Sequence, residues 1–409
     1  MRRCLGGLLC LSFLLILGCA TYAHKISEAR HFFESGQYEA AAAELSLLAA
    51  QNDNDRLLYL LELGLVYHSS GRYQEAINTF KEAEKIAVLN DYTSVSQEVG
   101  SVVLNDSTKV YKGEDFEKIL INVYMAIDYT LLGKWEAALV ESRRVNQKLD
   151  VMIAQGKMPY QYNSFAKYLA ASLFESQGEL NDAFVDYRTV KKWIGNFAYL
   201  PGPLMRIADR LKATQELELF SKEFPTQKKY LLPTGYGEVV LFLEQGRAPY
   251  KMPNPSFDLV PQFIRNPSNY QKATLRDVKN LASAEPEILF DIEATAIREL
   301  DEKMALIMAK KVGGLVAKRA ISYGVGKATK SKDAELISQL LLNLTDHADL
   351  RSWITLPSNL RLARLALPAG RHDLVLDMVS SGGTRTVKRW EKVQVKANRI
   401  VFLNSRVFD

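Results

Sequence analysis

Residues 57–90 read LLYLLELGLVYHSSGRYQEAINTFKEAEKIAVLN and decide the fold of the first half of the chain. Apolar residues recur there at intervals of three and four, as they do in amphipathic helices, and Gly71 marks a turn between two such helices. Small residues let two antiparallel helices approach closely, and aromatic residues fill the space between one helix pair and the next. The positions assigned to this packing are Gly64, Tyr67, Gly71, Tyr73, Ala76, Phe80 and Ala83.

Weaker copies of the same pattern of glycine, aromatic or aliphatic residue, and alanine flank this stretch. One lies upstream at Gly36, and the packing positions assigned to the two downstream copies are Gly133, Ala138, Gly178 and Ala183. The pattern is similar to the 34-residue tetratricopeptide repeat (TPR), whose helix pairs stack because none can bury its apolar face singly. The sequence therefore predicts a TPR-like α-solenoid over residues 19–225, with repeats from about Tyr22 to about Phe197 and a capping helix at Leu204 to Phe220.

The spacing between the second and third copies is longer than one repeat. Residues 91–118 contain valines on either side of an Asn105-Asp106 turn, which predicts an inserted β-hairpin or ordered loop. Such an insertion either projects from the array as a contact surface or packs as a spacer.

Stacked TPR pairs leave a concave groove, and grooves of this kind bind extended peptides or partner helices. The register of the repeat places nine candidate groove residues on the first helix of each pair. The alternative is that these residues form ordinary surface. The candidates are Leu61, Leu65, His68, Val123, Ile127, Thr130, Tyr168, Ser172 and Glu175.

The second half of the chain changes character after about Tyr230, where strand-like runs and turn residues replace the helical period. The pattern predicts a β-rich domain over residues 226–409, arranged as a small β-sandwich. Its first strands are expected near 236–265 and its later strands near 360–408, with a helical insertion at about 270–346. The fold class is thus α+β and multidomain.

The first residues are typical of a bacterial secretion signal. Arg2 and Arg3 precede an apolar stretch at Leu5 to Leu17, which is too short to span a bilayer comfortably. Residues 16–19 read ILGC and resemble the lipobox, in which a signal peptide of residues 1–18 is removed and Cys19 receives lipid. Lasting anchorage then follows from two or more acyl chains. Ala20, by resemblance to Gram-negative lipoproteins, favours an outer-membrane anchor that faces the periplasm.

Composition excludes several classes of protein. The chain is 47% hydrophobic and 24% charged, which is ordinary for a globular protein, and its net charge of +5 includes the two arginines of the signal peptide. A nucleic-acid partner is not expected. All three cysteines precede residue 20, so thiol catalysis and cysteine-based zinc sites are excluded from the mature chain.

Two local features carry alternative functions. Residues 303–332 contain eight Lys or Arg and no acidic residue, interleaved with apolar residues, and form either a membrane or polymer contact or the solvated face of a core helix. Asp346, His347 and Asp349 cluster in sequence, and a helix cap followed by a structural histidine is favoured over a metal site or a polarised water as the explanation. No catalytic, cofactor or metal site is predicted.

Four phrases of the chain resemble an uncharacterised family of TPR-containing bacterial lipoproteins: YKGEDFE at 111–117, VESRRVN at 140–146, GRAPYK at 246–251 and ADLRSWITLP at 348–357. The resemblance implies no established activity. It favours a protein-interaction scaffold or adaptor in envelope assembly or cell-wall biogenesis, with envelope proteins in the groove and membrane lipid at Cys19. Direct binding of an anionic polymer or lipid ranks second, and an enzyme acting on cell-wall glycan ranks last.

Overall fold

The computed structural model describes residues 22–97, 109–154, 163–195, 197–225, 231–305, 307–308 and 348–408. These residues form a helical first half and a separate, sheet-rich second half, which confirms the coarse prediction from the sequence. Cys19 and the predicted signal peptide lie outside the described residues. Residues 98–108 of the predicted insertion and residues 309–332 of the basic segment also lie outside them.

In the described part of the first half, one short helix precedes five helix pairs. Each helix packs against its neighbours along the chain, as expected for a TPR-like solenoid. The helices are α1 (Tyr22–Lys25), α2 (Ser27–Glu34), α3 (Tyr38–Ala49), α4 (Arg56–Ser69), α5 (Tyr73–Gln97), α6 (Asp115–Leu131), α7 (Trp135–Ala154), α8 (Ser164–Gln177), α9 (Leu180–Ile194), α10 (Pro201–Arg210) and α11 (Thr214–Glu223).

The turn inside each helix pair has a residue in the left-handed backbone region. Gly71 and Gly178 occupy this position at φ +83°, where glycine carries no penalty from a Cβ atom. The fifth pair has Lys212 there instead, at φ +56°. The prediction of one capping helix at Leu204 to Phe220 was therefore wrong, because the chain turns between α10 and α11 without the glycine that marks the other turns.

The predicted insertion at Asp91 to Lys118 is shorter than the sequence suggested. Helix α5 continues through Gln97 and helix α6 already begins at Asp115. A capping box explains the early start of α6, because the side chains of Glu114 and Glu117 each accept a hydrogen bond from the main-chain N–H of the other residue.

The described part of the second half contains two four-stranded sheets and a separate hairpin. The first sheet has the order β10-β1-β7-β6, with β1 parallel to β10, and the second has the order β5-β4-β8-β9. The hairpin joins β2 and β3. The strands are β1 (Tyr236–Gln245), β2 (Tyr250–Asn254), β3 (Phe257–Ile264), β4 (Tyr270–Asp277), β5 (Ser283–Ala284), β6 (Glu287–Asp291), β7 (Asn359–Pro368), β8 (Gly370–Ser380), β9 (Gly383–Val395) and β10 (Ile400–Val407).

A shared core joins the two sheets, with Leu241 of β1 and Leu376 of β8 among its fully buried members. The predicted helical insertion from about 270 was wrong at its start, because residues 270–291 form β4, β5 and β6 and helix appears only from residue 292. In β4 the buried residues Ala273, Leu275 and Asp277 alternate with less buried ones, which is the period of a strand and not of a helix.

The other face of the first sheet packs on the helical array. Phe242 of β1 and Phe402 of β10 belong to the same buried cluster as residues of α4, α6 and α8. Rings make this contact directly, since Phe165 of α8 lies 5.4 Å from Phe242 between centroids. Among the described helices, none is long and apolar enough to cross a membrane.

Candidate functional site

The nine predicted groove residues are covered within the protein, and three of them contact its second half: His68 bonds to Glu244, and Tyr168 and Glu175 bond to Arg364. Eight of them are at most 2% exposed, and the side chain of Glu175 is 9% exposed. The prediction of an open partner groove was therefore wrong. A concave apolar face has to be covered by something, and here the first sheet and residues 348–358 cover it.

Residues 348–358 form an irregular segment, with a turn at Ile354 and Thr355, that lies against the first helices of the second and third pairs. Main-chain N–H groups of this segment donate to buried carboxylates of two neighbouring helices: Trp353 to Glu117 of α6 at 2.7 Å, and Ile354 and Thr355 to Glu62 of α4 at 3.0 and 3.2 Å. Hydrogen bonds to the main chain of a bound peptide contribute affinity that does not depend on which side chains the peptide carries. The array thus holds a segment of its own chain.

Trp353 is the anchor of that segment. Its side chain is 1% exposed, and its ring lies 5.8 Å from the rings of both Phe80 and Tyr124. The indole N–H donates to the Thr355 hydroxyl at 3.2 Å, so the polar atom of this buried side chain is satisfied. Phe80, one of the predicted packing residues, therefore packs against the second half of the chain as well as within the repeat.

Burial shifts the pKa of Glu62 and of Glu117, the two carboxylates that hold residues 348–358. It raises the pKa of Glu62, although hydrogen bonds from Thr355 and Tyr22 oppose the rise. It also raises the pKa of Glu117, to about 7, and the negative charge of Glu114 adds to the effect. These residues were missed in the sequence. One signal in the sequence could have identified the site: Glu62 lies within the apolar run LLYLLELGLV. A carboxylate buried in such a run needs hydrogen-bond donors from elsewhere in the protein.

His68, a predicted groove residue, is the centre of a second buried cluster. Its Nδ1 bonds to Asp128 of α6, and its Nε2 lies 2.8 Å from Oε1 of Glu244 on β1. Tyr124 donates to the other oxygen of Glu244 at 3.1 Å, and the Asn404 amide of β10 donates to the first at 2.9 Å. The cluster therefore ties two helices to two strands.

The electrostatics of this cluster favour a charged histidine. Burial lowers the pKa of His68, but the charges of Asp128 and Glu244 outweigh it and raise the pKa to about 10. Burial raises the pKa of Asp128 to about 6, while His68 holds the pKa of Glu244 below its ordinary value despite burial. The side chains of His68 and Asp128 are 0% exposed, so this imidazolium holds the two halves together and does not meet solvent.

A third cluster surrounds Arg364 of β7. Its guanidinium donates to Glu238 of β1 at 2.8 and 2.6 Å, to Glu175 of α8 at 2.8 Å and to the Tyr187 hydroxyl of α9 at 2.9 Å. Arg206 of α10 donates to the same two carboxylates. Burial would raise the pKa of Glu175, but the two arginines outweigh it and lower the pKa to about 2.

The basic segment predicted at 303–332 begins with a residue that is already paired. Lys303 donates to Glu299 at 2.5 Å and to Glu114 at 3.2 Å, and Glu299 in turn accepts from the main-chain N–H groups of Asp115 and Phe116. Carboxylates are favoured at such a helix N-terminus. Lys303 is thus bound within the protein. The rest of the segment lies outside the described residues from 309 onward.

The predicted packing residues lie inside the helix pairs or at their turns. Ala76, Ala83, Ala138 and Ala183 are fully buried. Position 64 requires glycine because the Phe80 ring lies so close to its backbone that a Cβ atom there would be 2.5 Å from the ring. Tyr67 and Tyr73 are half-buried, and Gly71, Gly133 and Gly178 occupy the left-handed turns.

The acidic residues considered for catalysis are only partly within the described chain. Asp346 and His347 lie outside it. Asp349 accepts a hydrogen bond from Arg351 at 2.7 Å, and Arg351 also pairs with Asp55 of the array at 3.0 Å. Among the described residues, no group of three His, Cys, Asp or Glu side chains is arranged to hold a metal ion.

Comparison with known proteins yields structural likeness alone. No family model matches the chain, and no curated protein does. Similar solved structures include MamA (14% identical, 48% of this chain and 92% of that chain, TM-score 0.34), a putative kinesin light chain from Podospora anserina with nearly identical TPR-like repeats (15%, 50% and 96%, 0.33) and PilF of Pseudomonas aeruginosa (14%, 51% and 77%, 0.33). Likeness at this level says nothing about function.

Proposed function

We propose that the chain is a protein-interaction scaffold of the bacterial envelope, anchored in the outer membrane through lipid on Cys19 and without enzymatic activity. The helical array and the sheets are tied together by three buried polar clusters and by Trp353. In this arrangement the concave face serves the protein's own architecture. Partners therefore bind to outward surfaces of the joined halves.

The observation that carries this proposal is the set of exposed aliphatic side chains on the second helices of the pairs. Val140 of α7, Val185 of α9 and Leu219 of α11 each stand at the sixth residue of their helix, and they are 44%, 59% and 63% exposed. Leu47 of α3 is 67% exposed. Single exposed aliphatics are common, but repetition at the sixth residue of α7, α9 and α11, the second helices of three consecutive pairs, gives this part of the solenoid an apolar surface on which a partner can dock.

Site-specific photo-crosslinking in cells tests the scaffold role. A crosslinker at Val185 or Leu219 is expected to capture one or more envelope proteins reproducibly. Two controls are matched to it: Met252, which is 44% exposed but lies on the β2–β3 hairpin, and the buried Leu61. Absence of any capture above these controls would refute docking on the outer helices, and capture from Leu61 would show that the concave face opens in the cell.

The anchor is tested separately. Cys19→Ser is expected to abolish metabolic labelling with palmitate and to release the protein from the membrane fraction. Cys10→Ser changes a thiol within the same signal peptide and should leave both properties intact. Equal labelling of the Cys19→Ser and wild-type chains would refute the lipid anchor.

A further inference from the structure

Strand β9 (Gly383–Val395) forms an open edge of the second sheet. Within the described residues it pairs only with β8, so the hydrogen-bonding groups along its other side form no strand pairing among them. Most of its residues are exposed, while Val387, Trp390 and Val393 are half-buried against the core between the sheets. Thirteen residues at about 3.4 Å each give an edge about 40 Å long.

The edge carries many cations that have no acidic partner. Six exposed basic residues lie on β9 or next to it, and Glu391 is the one acidic side chain on the strand. Among the described residues, none of the six forms an ion pair. On β4 of the same sheet, by contrast, Arg276 pairs with Asp377 and Lys272 pairs with Glu285. The six are Arg371, Arg385, Lys388, Arg389, Lys392 and Lys396.

These cations occur on both sides of the strand. Arg389 lies opposite Val375 in the pairing with β8, and Lys388 lies opposite Leu376, so the two side chains leave the sheet in opposite directions. A flat membrane would meet only one of these directions. The exposed side chains of the edge are polar or charged, which also gives no apolar surface for entry into lipid.

We infer that the β9 edge binds an extended, acidic segment of a partner protein as an added strand. The inference rests on the proposed scaffold role and supplies the chemistry of one partner. An added strand satisfies the open main-chain groups, and its carboxylates alternate between the two sides as the cations of β9 do. A second copy of β9 is repelled by its like charges, so the edge selects an acidic strand over itself.

Register limits where the strand is added. The pairing of β9 with β8 shifts on either side of Lys388–Trp390, and Lys392 has φ +53°. The regular part of the edge therefore comprises Gly383–Thr386 and Lys388–Trp390. Beyond it, Lys392 and Lys396 contribute charge without a regular ladder.

Fluorescence anisotropy with the full mature chain tests the inference. The probe is a short labelled peptide of Glu-Glu-Thr-Val repeats, which places carboxylates on both sides of an added strand. Its match is a peptide of the same charge interrupted by two prolines. We expect the first peptide to bind, and to bind more weakly at about 0.5 M salt. Its affinity should exceed that of the proline-containing peptide by about tenfold, because proline cannot donate a hydrogen bond to a strand pairing. Equal binding of the two peptides would overturn strand addition.

Charge reversal locates the site. Arg385→Glu with Arg389→Glu is expected to weaken binding of the acidic peptide by about tenfold or more. Arg210→Glu with Lys222→Glu changes the net charge equally on exposed positions of the helical array and should have no more than a small effect. Equal loss in both variants would overturn the assignment to β9.

Two further outcomes also decide against it. Binding of vesicles of phosphatidylglycerol and phosphatidylcholine without binding of the peptide would identify a membrane contact. Binding of neither would mean that the cations only prevent the edges of two copies from pairing. Crosslinking from the outer helices is an independent readout, so either result can be told apart from a failure of the scaffold role itself.

Discussion

Trp353→Ala removes the anchor that holds the concave face closed. The side chain is almost fully buried between Phe80 and Tyr124, and truncation of such an aromatic side chain costs about 3–5 kcal/mol. The main-chain bonds to Glu62 and Glu117 remain possible, so the register of the segment is kept. We expect the variant to retain its helices while the second half separates from the array more often.

Thiol labelling measures this opening. A soluble form that lacks residues 1–19 contains no cysteine, so Leu61→Cys places a single thiol on the covered face. Each 1.4 kcal/mol changes a population tenfold, so the loss of about 3–5 kcal/mol from the closed state should accelerate labelling of this thiol by roughly 10² to 4 × 10³-fold. Leu47→Cys, which lies on the exposed outer face, should label at the same rate with and without Trp353.

The matched substitution is Trp390→Ala, which truncates a half-buried tryptophan of β9 that packs against the core between the two sheets. It should leave the labelling of Leu61→Cys nearly unchanged. Equal labelling rates in the Trp353→Ala and Trp390→Ala backgrounds would refute the view that Trp353 closes the array. Circular dichroism of both variants separates opening from global unfolding.

Three further perturbations follow from the packing and the charges. His68 is charged in the folded protein because two carboxylates raise its pKa to about 10. Its contribution to the free energy of unfolding is therefore complete below its ordinary pKa of 6.5 and is lost as pH rises through 10. Urea titrations should show the free energy of unfolding falling from pH 7 to 10 in the wild type and much less in His68→Gln. Lys212→Gly should raise the midpoint of thermal unfolding by relieving about 1 kcal/mol of backbone strain, while Gly178→Ala should lower it, and a decrease with Lys212→Gly would contradict the assigned turn. Gly64→Ala should lower the free energy of unfolding in denaturant by about 1–3 kcal/mol because the new Cβ meets the Phe80 ring. In a Phe80→Leu chain the same substitution should cost less. Additive effects of the two substitutions would argue against the close approach.

Local patterns predicted the parts of the fold that depend on neighbouring residues. The helix pairs at Gly71, Gly133 and Gly178 follow from a glycine turn between amphipathic helices. The fifth pair was not predicted, because Lys212 adopts the left-handed conformation without the residue that usually marks it. Strand β4 was missed since only Ala273 and Leu275 carry its alternation before the chain turns.

The covered face could not have been predicted from local pattern alone. Repeat spacing places His68 and Tyr168 on the concave side, but what lies against them depends on pairings between distant segments, such as that of Asp55 with Arg351 across 296 residues. Periodicity reports which face of a helix is apolar and gives no information on its partner. A polar residue within an apolar run, as at Glu62, was the one local sign that the face would be filled by hydrogen-bond donors.

The buried cluster of His68, Glu244 and Asn404, whose first and last residues are 336 positions apart, has a consequence for how the chain acquires its structure. Repeat proteins ordinarily assemble from nearest neighbours, so that early repeats can settle while later ones are still being made. Here Phe33 of α2 packs edge-on against Phe408 at 5.0 Å, and the early hairpins must wait with an uncovered apolar side until β10 has emerged. Maturation should therefore be slow for a helical array and should depend on chaperones that shield the waiting repeats.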